Sequence, residues 1–443
     1  MSGIETLSPA CDSFRVMRPP FAITFAFLFL LSLLGCQAPT GGSAPEAGVL
    51  RIGTSLDYRP FSHPAPDAAP EPRGFSIDVA RTYAAATGRR VEFVPFRWPE
   101  LAADLEGDRF DLALSGVTVR ADRSIAGRFS LPVTVSGAVV LVPADSALED
   151  ARSLASPGLT FAVNAGGHLE RTARALFSDA RILPVANNAS VLERIDDPEV
   201  DGVVTDSLEA PHWQARRGGL RAIGPLTRDR KAAWFPIGSD AERARFDVWL
   251  MEAERDGTLA AIRRRHGLPA DQTARPGRAL LAVLDERLSL MTEVARVKQV
   301  MGRPIEDRPR EAKVLDRAVA ALAREAEARR RPAPNEDGVR TFYQAQIEAA
   351  KTIQRDWTNA NPGHAAPSQD PAWLAAEDRL GAEVRPALLD LGDRIATLVV
   401  LTAASGEPAP GRSDVANALG RHSLPAADLD AIHASLERIL SAD

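Results

Sequence analysis

An apolar stripe at helical spacing, in the C-terminal half of the chain, restricts the fold more than any other feature. In LDERLSLMTEVARVKQVMGRPIEDRPREAKVLDRAV, which begins at Leu284, the residues Leu284, Leu288, Met291, Val294, Val297 and Met301 recur every three to four positions. That period belongs to an amphipathic helix with one face in a core, and excludes a strand. Arg287 and Lys298 stand eleven residues apart, about three turns at ~100° per residue, so they project from nearly the same side. Their side borders the stripe. Two cations leaning over a core are costly unless they reach water or hold an anion between them. The pattern therefore asks for a small, multiply charged anion inside a helical bundle.

The rest of the chain differs in texture. From Val49 to Leu268, short β-like runs (VLRIGTS, RRVEFVPF, DLALSG, GAVVLVP, LTFAVNA, ARILPVA and DGVVTD) alternate with helical segments near 76–87, 98–107, 168–178, 190–196 and 240–265. Such alternation predicts an α/β domain with mostly parallel sheets. A chain of 443 residues has room for two or three domains. Residues 269–277 read as the linker between an α/β domain at 49–268 and an all-α domain at 278–443. The net charge of −6 gives no reason to expect nucleic-acid binding.

The N-terminus reads as an export signal. Arg15 and Arg18 precede the apolar run Phe21–Cys36, which is too short to span a bilayer comfortably. Leu33-Leu34-Gly35-Cys36 resembles a bacterial lipobox. That resemblance implies a lipid on Cys36, a membrane tether and the periplasm of a Gram-negative bacterium; the alternative is a soluble secreted protein cut nearby. Cys11 is the only other cysteine and lies inside the removed segment, so the mature cores must be stable without a disulfide. Residues 37–48 (QAPTGGSAPEAG) form a tether rich in small residues and proline.

In the C-terminal half, Arg287, Lys298, Asp307, Arg310 and Glu311, followed by Gln354 in FYQAQIEAAKTIQ, resemble the active-site register of the all-helical chorismate mutases, in their secreted gamma-type branch. Leu391-Gly-Asp-Arg394 resembles that branch's further arginine. The resemblance implies that Arg287, Arg310 and Arg394 hold the carboxylates of a dianion, Lys298 and Gln354 bond the ether oxygen, and Glu311 the ring hydroxyl. Asp307 would orient its neighbours, and a homodimer is implied because gamma-type mutases are commonly dimeric. Taken singly, these charges are also what a solvated helix start carries.

The α/β half resembles the extracellular solute-binding proteins of polar amino-acid type, two lobes around a cleft. Asp57-Tyr-Arg-Pro-Phe-Ser62, Gly74-Phe75-x-x-Asp78, Asp111-Leu-Ala-Leu-Ser-Gly-Val-Thr118 and Arg123 carry the likeness. It implies a second lobe at about 140–231. Phe96-Arg-Trp98-Pro, Asn164-Ala-Gly166-Gly167, Thr205-Asp-Ser-Leu-Glu209-Ala and Lys231-Ala-Ala resemble the cyclohexadienyl dehydratases, periplasmic enzymes on this fold that act on prephenate or arogenate. In that resemblance Glu209 is the general acid, and a desolvated site must keep it protonated. Trp98 would pack on the substrate ring, and Arg123 would pair with the side-chain carboxylate. Thr118 would supply a hydroxyl, Lys231 belongs to the binding set, and Gly166 and Gly167 would offer backbone N–H groups. His168 and His212 read as surface histidines. One departure stands out: the dehydratase pattern has Thr-Asn where this chain has His168-Leu169, and leucine cannot hydrogen-bond.

The joint expectation is a bifunctional enzyme, chorismate mutase and cyclohexadienyl dehydratase, serving phenylalanine biosynthesis. The alternative is a mutase fused to a non-catalytic amino-acid-binding module. Neither reaction needs a metal or organic cofactor.

Overall fold

A computed structural model describes residues 48–65, 71–368 and 370–441. The export signal, Cys36 and nearly all of the tether lie outside these residues, as does the middle of the proline-rich stretch 64–73.

The first lobe is built on a five-stranded sheet of order β2-β1-β3-β10-β4, and the second on one of order β7-β6-β8-β5-β9. The strands are β1 Val49–Thr54, β2 Arg90–Pro95, β3 Leu112–Ala113, β4 Arg128–Ser136, β5 Ala138–Pro143, β6 Thr160–Asn164, β7 Arg181–Val185, β8 Gly202–Asp206, β9 Leu220–Ile223 and β10 Asp229–Phe235. The chain enters the second sheet between Ser136 and Ala138 and returns between Ile223 and Asp229.

The sequence pattern does not reveal β4, β9 and β10. β10 runs antiparallel to both β3 and β4, and β5 antiparallel to both β8 and β9, so the sheets are mixed rather than mostly parallel. The reason is the double crossing: strands that lead out of a lobe and back must run in opposite directions. β4 also lacks alternation, because nearly every residue in RFSLPVTVS is buried. It contains Pro132, tolerated because the register with β10 shifts there.

Seven helices among the described residues cover these sheets: α1 Phe75–Ala86, α2 Leu101–Glu106, α3 Ala121–Ala126, α4 His168–Leu176, α5 Ala210–Arg217, α6 Asp240–Arg255 and α7 Thr258–Arg265. The C-terminal half is all helix: α8 Pro276–Ser289, α9 Met291–Val300, α10 Arg308–Ala328, α11 Glu336–Ala360, α12 Pro371–Asp378, α13 Arg385–Ala404, α14 Arg412–Leu419 and α15 Ala426–Leu440. The stripe from Leu284 to Met301 is buried throughout, across a break at Leu290. Each such side chain contributes roughly 1.5–3 kcal/mol.

The bundle shares a core with the first lobe. Leu131, Val133, Phe246 and Leu250 lie in one apolar cluster with Leu280, Leu284, Leu391 and Ile395. Buried polar pairs stitch the same seam. Arg230 of β10 pairs with Asp285 of α8, which also accepts from Arg421 and His422. Ser124 donates to Glu286 at 2.9 Å, and Arg243 meets Asp390 at 2.9 Å.

Candidate active sites

A pocket of about 1060 Å³ opens in the helical bundle. Its walls hold Arg287 from α8, Lys298 from α9, Asp307 at the mouth of α10, Arg310 and Glu311 from α10 and Gln354 from α11. Six of the seven mutase residues named from the sequence therefore converge, although they come from four helices and a connecting loop.

Their geometry fits an anion site. Nη1 of Arg287 is buried without a hydrogen-bond partner, and burial lowers the affinity of its guanidinium for the proton. An unsatisfied buried cation is costly, and a carboxylate in the pocket would remove that cost. Burial, and then the charge of Arg310, also push the Lys298 amine down; its Nζ donates to the carbonyl of Ile305 at 2.8 Å. Asp307 caps α10 by accepting from the Arg310 N–H at 3.1 Å, while Glu311 accepts from the Asp307 N–H at 3.1 Å. The cluster is thus a helix start and a pocket wall at once. Gln354 donates to the carbonyl of Ala350 at 3.1 Å and leaves Oε1 buried without a partner.

Arg394 is the exception, and the structure corrects its assignment. It points away from the pocket into the seam with the α/β domain, 3.5 Å from Asp247 and 3.6 Å from Glu286. Arg385 lines the pocket instead. The two are nine residues apart on α13, about two and a half turns, so they face opposite ways. Arg385, Leu388, Leu389 and Gly392 form the pocket-facing stripe of α13. The charge of Arg385 also acts on Arg310, whose guanidinium is pushed down by burial first and Arg385 second. The signal for Arg385 lay in that i, i+3, i+4, i+7 stripe, but a π turn at Arg379–Val384 just upstream obscures the phase. Lys351 and Tyr343 are further pocket residues that the sequence reading passes over.

Exchanging these two arginines separates their roles. Arg385→Ala is expected to lower kcat/KM for the mutase reaction by roughly 10- to 100-fold, the worth of one or two charge-assisted bonds. Arg394→Met is expected to leave KM unchanged and to destabilise folding by about 1–3 kcal/mol, read by denaturant unfolding, because it removes a cation from beside buried Asp247 and Glu286, which keep Arg243 and Ser124. A KM change in Arg394→Met with wild-type stability would reverse the assignment.

The second site lies between the lobes. A pocket of about 380 Å³ is lined by Tyr58, Trp98, Gly116, Thr118, Arg123, Asn164, Gly167, His168, Leu169, Asn188 and Lys231. The lobes touch around it: Tyr58 bonds Asp206, and Asn188 donates to the Asp57 carbonyl at 3.1 Å. Gly166 serves that closure, since a Cβ there would come within 2.8 Å of Pro99 Cγ.

Trp98, Thr118, Arg123, Gly167 and Lys231 all lie where a bound molecule would meet them. Gly166 does not line the pocket, and its N–H is taken by Glu170 at 2.7 Å, so it is not an anion donor. Trp98 stands edge-on to Tyr58 and donates its indole N–H to Asp57 at 3.2 Å. Lys231 donates to Thr118 at 2.9 Å and lies 3.3 Å from both the Tyr58 hydroxyl and Asp206. The Arg123 guanidinium is buried, donates to the Thr118 carbonyl at 3.2 Å, and is pushed down to about 9 by that burial.

Glu209 sits one layer behind the lining. Its oxygens accept from Asn188 at 2.9 Å and Thr205 at 2.7 Å. Burial, with the charge of Asp206 second, raises its carboxyl well above the usual range. A buried acid of that kind holds its proton to higher pH than a free carboxylic acid does. His168 is not a surface residue: it lines the pocket and meets Asp229 at 3.0 Å. Leu169 is buried against the second lobe's core with Val163 and Phe177, where the asparagine of the dehydratase pattern would lack an apolar role.

Comparison with known proteins agrees with both halves. Residues 50–269 match the bacterial extracellular solute-binding proteins, family 3, and residues 271–355 match chorismate mutase type II. A cyclohexadienyl dehydratase of Pseudomonas aeruginosa is 33% identical over 219 residues, 48% of this chain and 81% of the relative. A secreted chorismate mutase of Yersinia pestis is 28% identical over 163 residues, 35% of this chain and 78% of the relative. The crystal structure of an ancestral amino acid-binding protein, a precursor of cyclohexadienyl dehydratase, covers 49% of this chain and 95% of its own at 29% identity and a TM-score of 0.47. The chain belongs to the family 3 solute-binding proteins through its α/β half, with a cyclohexadienyl dehydratase among its relatives, and residues 271–355 of its helical half match chorismate mutase type II.

Proposed function

We propose that the chain is an exported bifunctional enzyme whose helical domain converts chorismate to prephenate and whose α/β domain dehydrates and decarboxylates prephenate or arogenate. The observation that carries the first half is Arg287, a buried cation with an orphaned donor in a pocket shared with Lys298, Arg310, Arg385 and Gln354. Chorismate is a dianion that rearranges without covalent help from the protein. Catalysis then rests on holding the reactive conformer and stabilising charge at the breaking ether bond. Arg287, Arg310 and Arg385 would take the carboxylates, Lys298 and Gln354 the ether oxygen, and Glu311 the ring hydroxyl, with Asp307 fixing the start of α10.

In the second half, Glu209 would give its proton to the departing ring hydroxyl. The C–C bond to the ring carboxylate breaks, its electron pair enters the ring, and carbon dioxide and water leave an aromatic product. Arg123 and Lys231 would hold carboxylates, and Trp98 would face the ring. The wild-type contacts put Glu209 behind Asn188, so substrate would have to displace that amide to reach the acid. The tether and a lipid on Cys36 would keep the enzyme at the membrane of the periplasm, and the gamma-type likeness supports a homodimer through the mutase domain.

The direct test gives the purified chain chorismate and follows absorbance with time. Prephenate is expected to rise first and phenylpyruvate after it. Prephenate that accumulates without further reaction would leave a mutase joined to a binding module, a reading that buried Leu169 favours over an active dehydratase.

A further inference from the structure

The interlobe pocket carries an unequal set of charges. Arg123 and Lys231 both line it, and no carboxylate does among the described residues. The acids nearby are each already engaged. Asp206 accepts from the Tyr58 hydroxyl, from the backbone N–H groups of Leu208 at 2.9 Å and Glu209 at 3.0 Å, and lies 3.3 Å from the Lys231 amine. Asp229 holds His168 at 3.0 Å and Thr227 at 3.0 Å. Asp57 takes the Trp98 indole, and Glu209 is held by Asn188 and Thr205. Arg123, by contrast, has no ion pair with a carboxylate among the described residues, and its only side-chain hydrogen bond there goes to a carbonyl.

Two forms of the substrate differ at a single group on the side chain. Both carry two carboxylates, but one has a ketone where the other has an ammonium. A ketone only accepts, and the lining offers it donors in the Gly167 N–H and in the guanidinium hydrogens of Arg123 that the Thr118 carbonyl does not take. An ammonium brings a positive charge and three donors that need acceptors. In this pocket it would be buried beside the unpaired Arg123, with Asp206 already paired with Lys231 and bonded by Tyr58.

Resting on the dehydratase reading, we propose that the α/β site selects the keto-acid substrate over the amino-acid one, with Lys231 and Tyr58 as the specificity-determining residues that occupy Asp206. The selection matches the fusion. The helical domain releases the keto acid directly, whereas the amino acid would require an intervening amino-group transfer.

The test compares kcat/KM for prephenate and arogenate in the full-length chain. A preference of at least tenfold for prephenate is expected, narrowing several-fold in Lys231→Met and in Tyr58→Phe as Asp206 is released. Equal values, or a preference for arogenate, overturn the proposal. If neither compound is dehydrated, the dehydratase reading fails, and selectivity is read by binding instead. Calorimetric titration of the Arg287→Ala variant, whose mutase pocket is crippled, is then expected to show phenylpyruvate binding at least tenfold tighter than L-phenylalanine. The reverse order would sink the proposal in that case too.

Discussion

Lys298→Ala is expected to turn over chorismate roughly 10²–10³-fold more slowly than wild type, the loss of about 3–4 kcal/mol that one preorganised donor supplies to developing charge. The size follows from the site. Lys298 is half-buried, its amine is held by the Ile305 carbonyl, and its neighbours Arg310, Asp307 and Glu311 fix the local field. In water a mobile lysine would have to reorganise as the ether bond polarises; here it is already in place. The effect should fall on kcat more than on KM, since charge at the ether oxygen develops only in the transition state. Single-turnover and steady-state assays distinguish the two. A loss of only a few-fold would mean that Lys298 supports the Ile305 loop and does not touch the reacting oxygen.

The second large effect is expected at Glu209. Glu209→Gln should lower phenylpyruvate formation from prephenate by about 10²–10⁴-fold while chorismate consumption is unchanged. Glutamine keeps the shape and can still accept from Asn188, with the Thr205 hydroxyl turned to accept from its amide, but it has no proton to give. The pH dependence has a definite sign. Burial and Asp206 raise the carboxyl well above its usual range, so the proton-donating form persists to higher pH than in a free carboxylic acid and is lost as pH rises through that elevated value. The wild-type rate should therefore have an alkaline limb, and the glutamine variant should lack it. Unchanged dehydration in the variant would remove Glu209 from the chemistry and return the domain to simple binding.

Much of this molecule was legible before its structure. The helical stripe from Leu284 to Met301 is periodic enough to identify a bundle, and the Arg287–Lys298 spacing implied an anion between helices. Seven of the ten strands among the described residues follow from short apolar runs between turn residues. The three missed ones have a common cause. β4 and β10 carry the chain between lobes and are buried on both faces, so period-two alternation is absent, while β9 is a four-residue strand.

The site residues divide in the same way. Residues within one helix or one turn, such as Asp307, Arg310 and Glu311, keep their register in sequence because helical geometry is local. Arg385 and Arg394 could not be told apart, because the answer depends on the phase of α13 after a π turn and on which neighbour each face meets. Arg394 finds Asp247 on α6, almost 150 residues upstream, and no local pattern records that encounter. The pairing of Lys231 with Asp206 is of the same kind: two strands from different lobes bring a buried cation to a buried acid, and so decide which charges the pocket still offers. Periodicity and spacing settle what each segment becomes, since they act through neighbouring residues. Which cations face a ligand, and which are consumed by the protein itself, was decided only when distant segments packed, because burial makes every charge answer to whatever lies beside it.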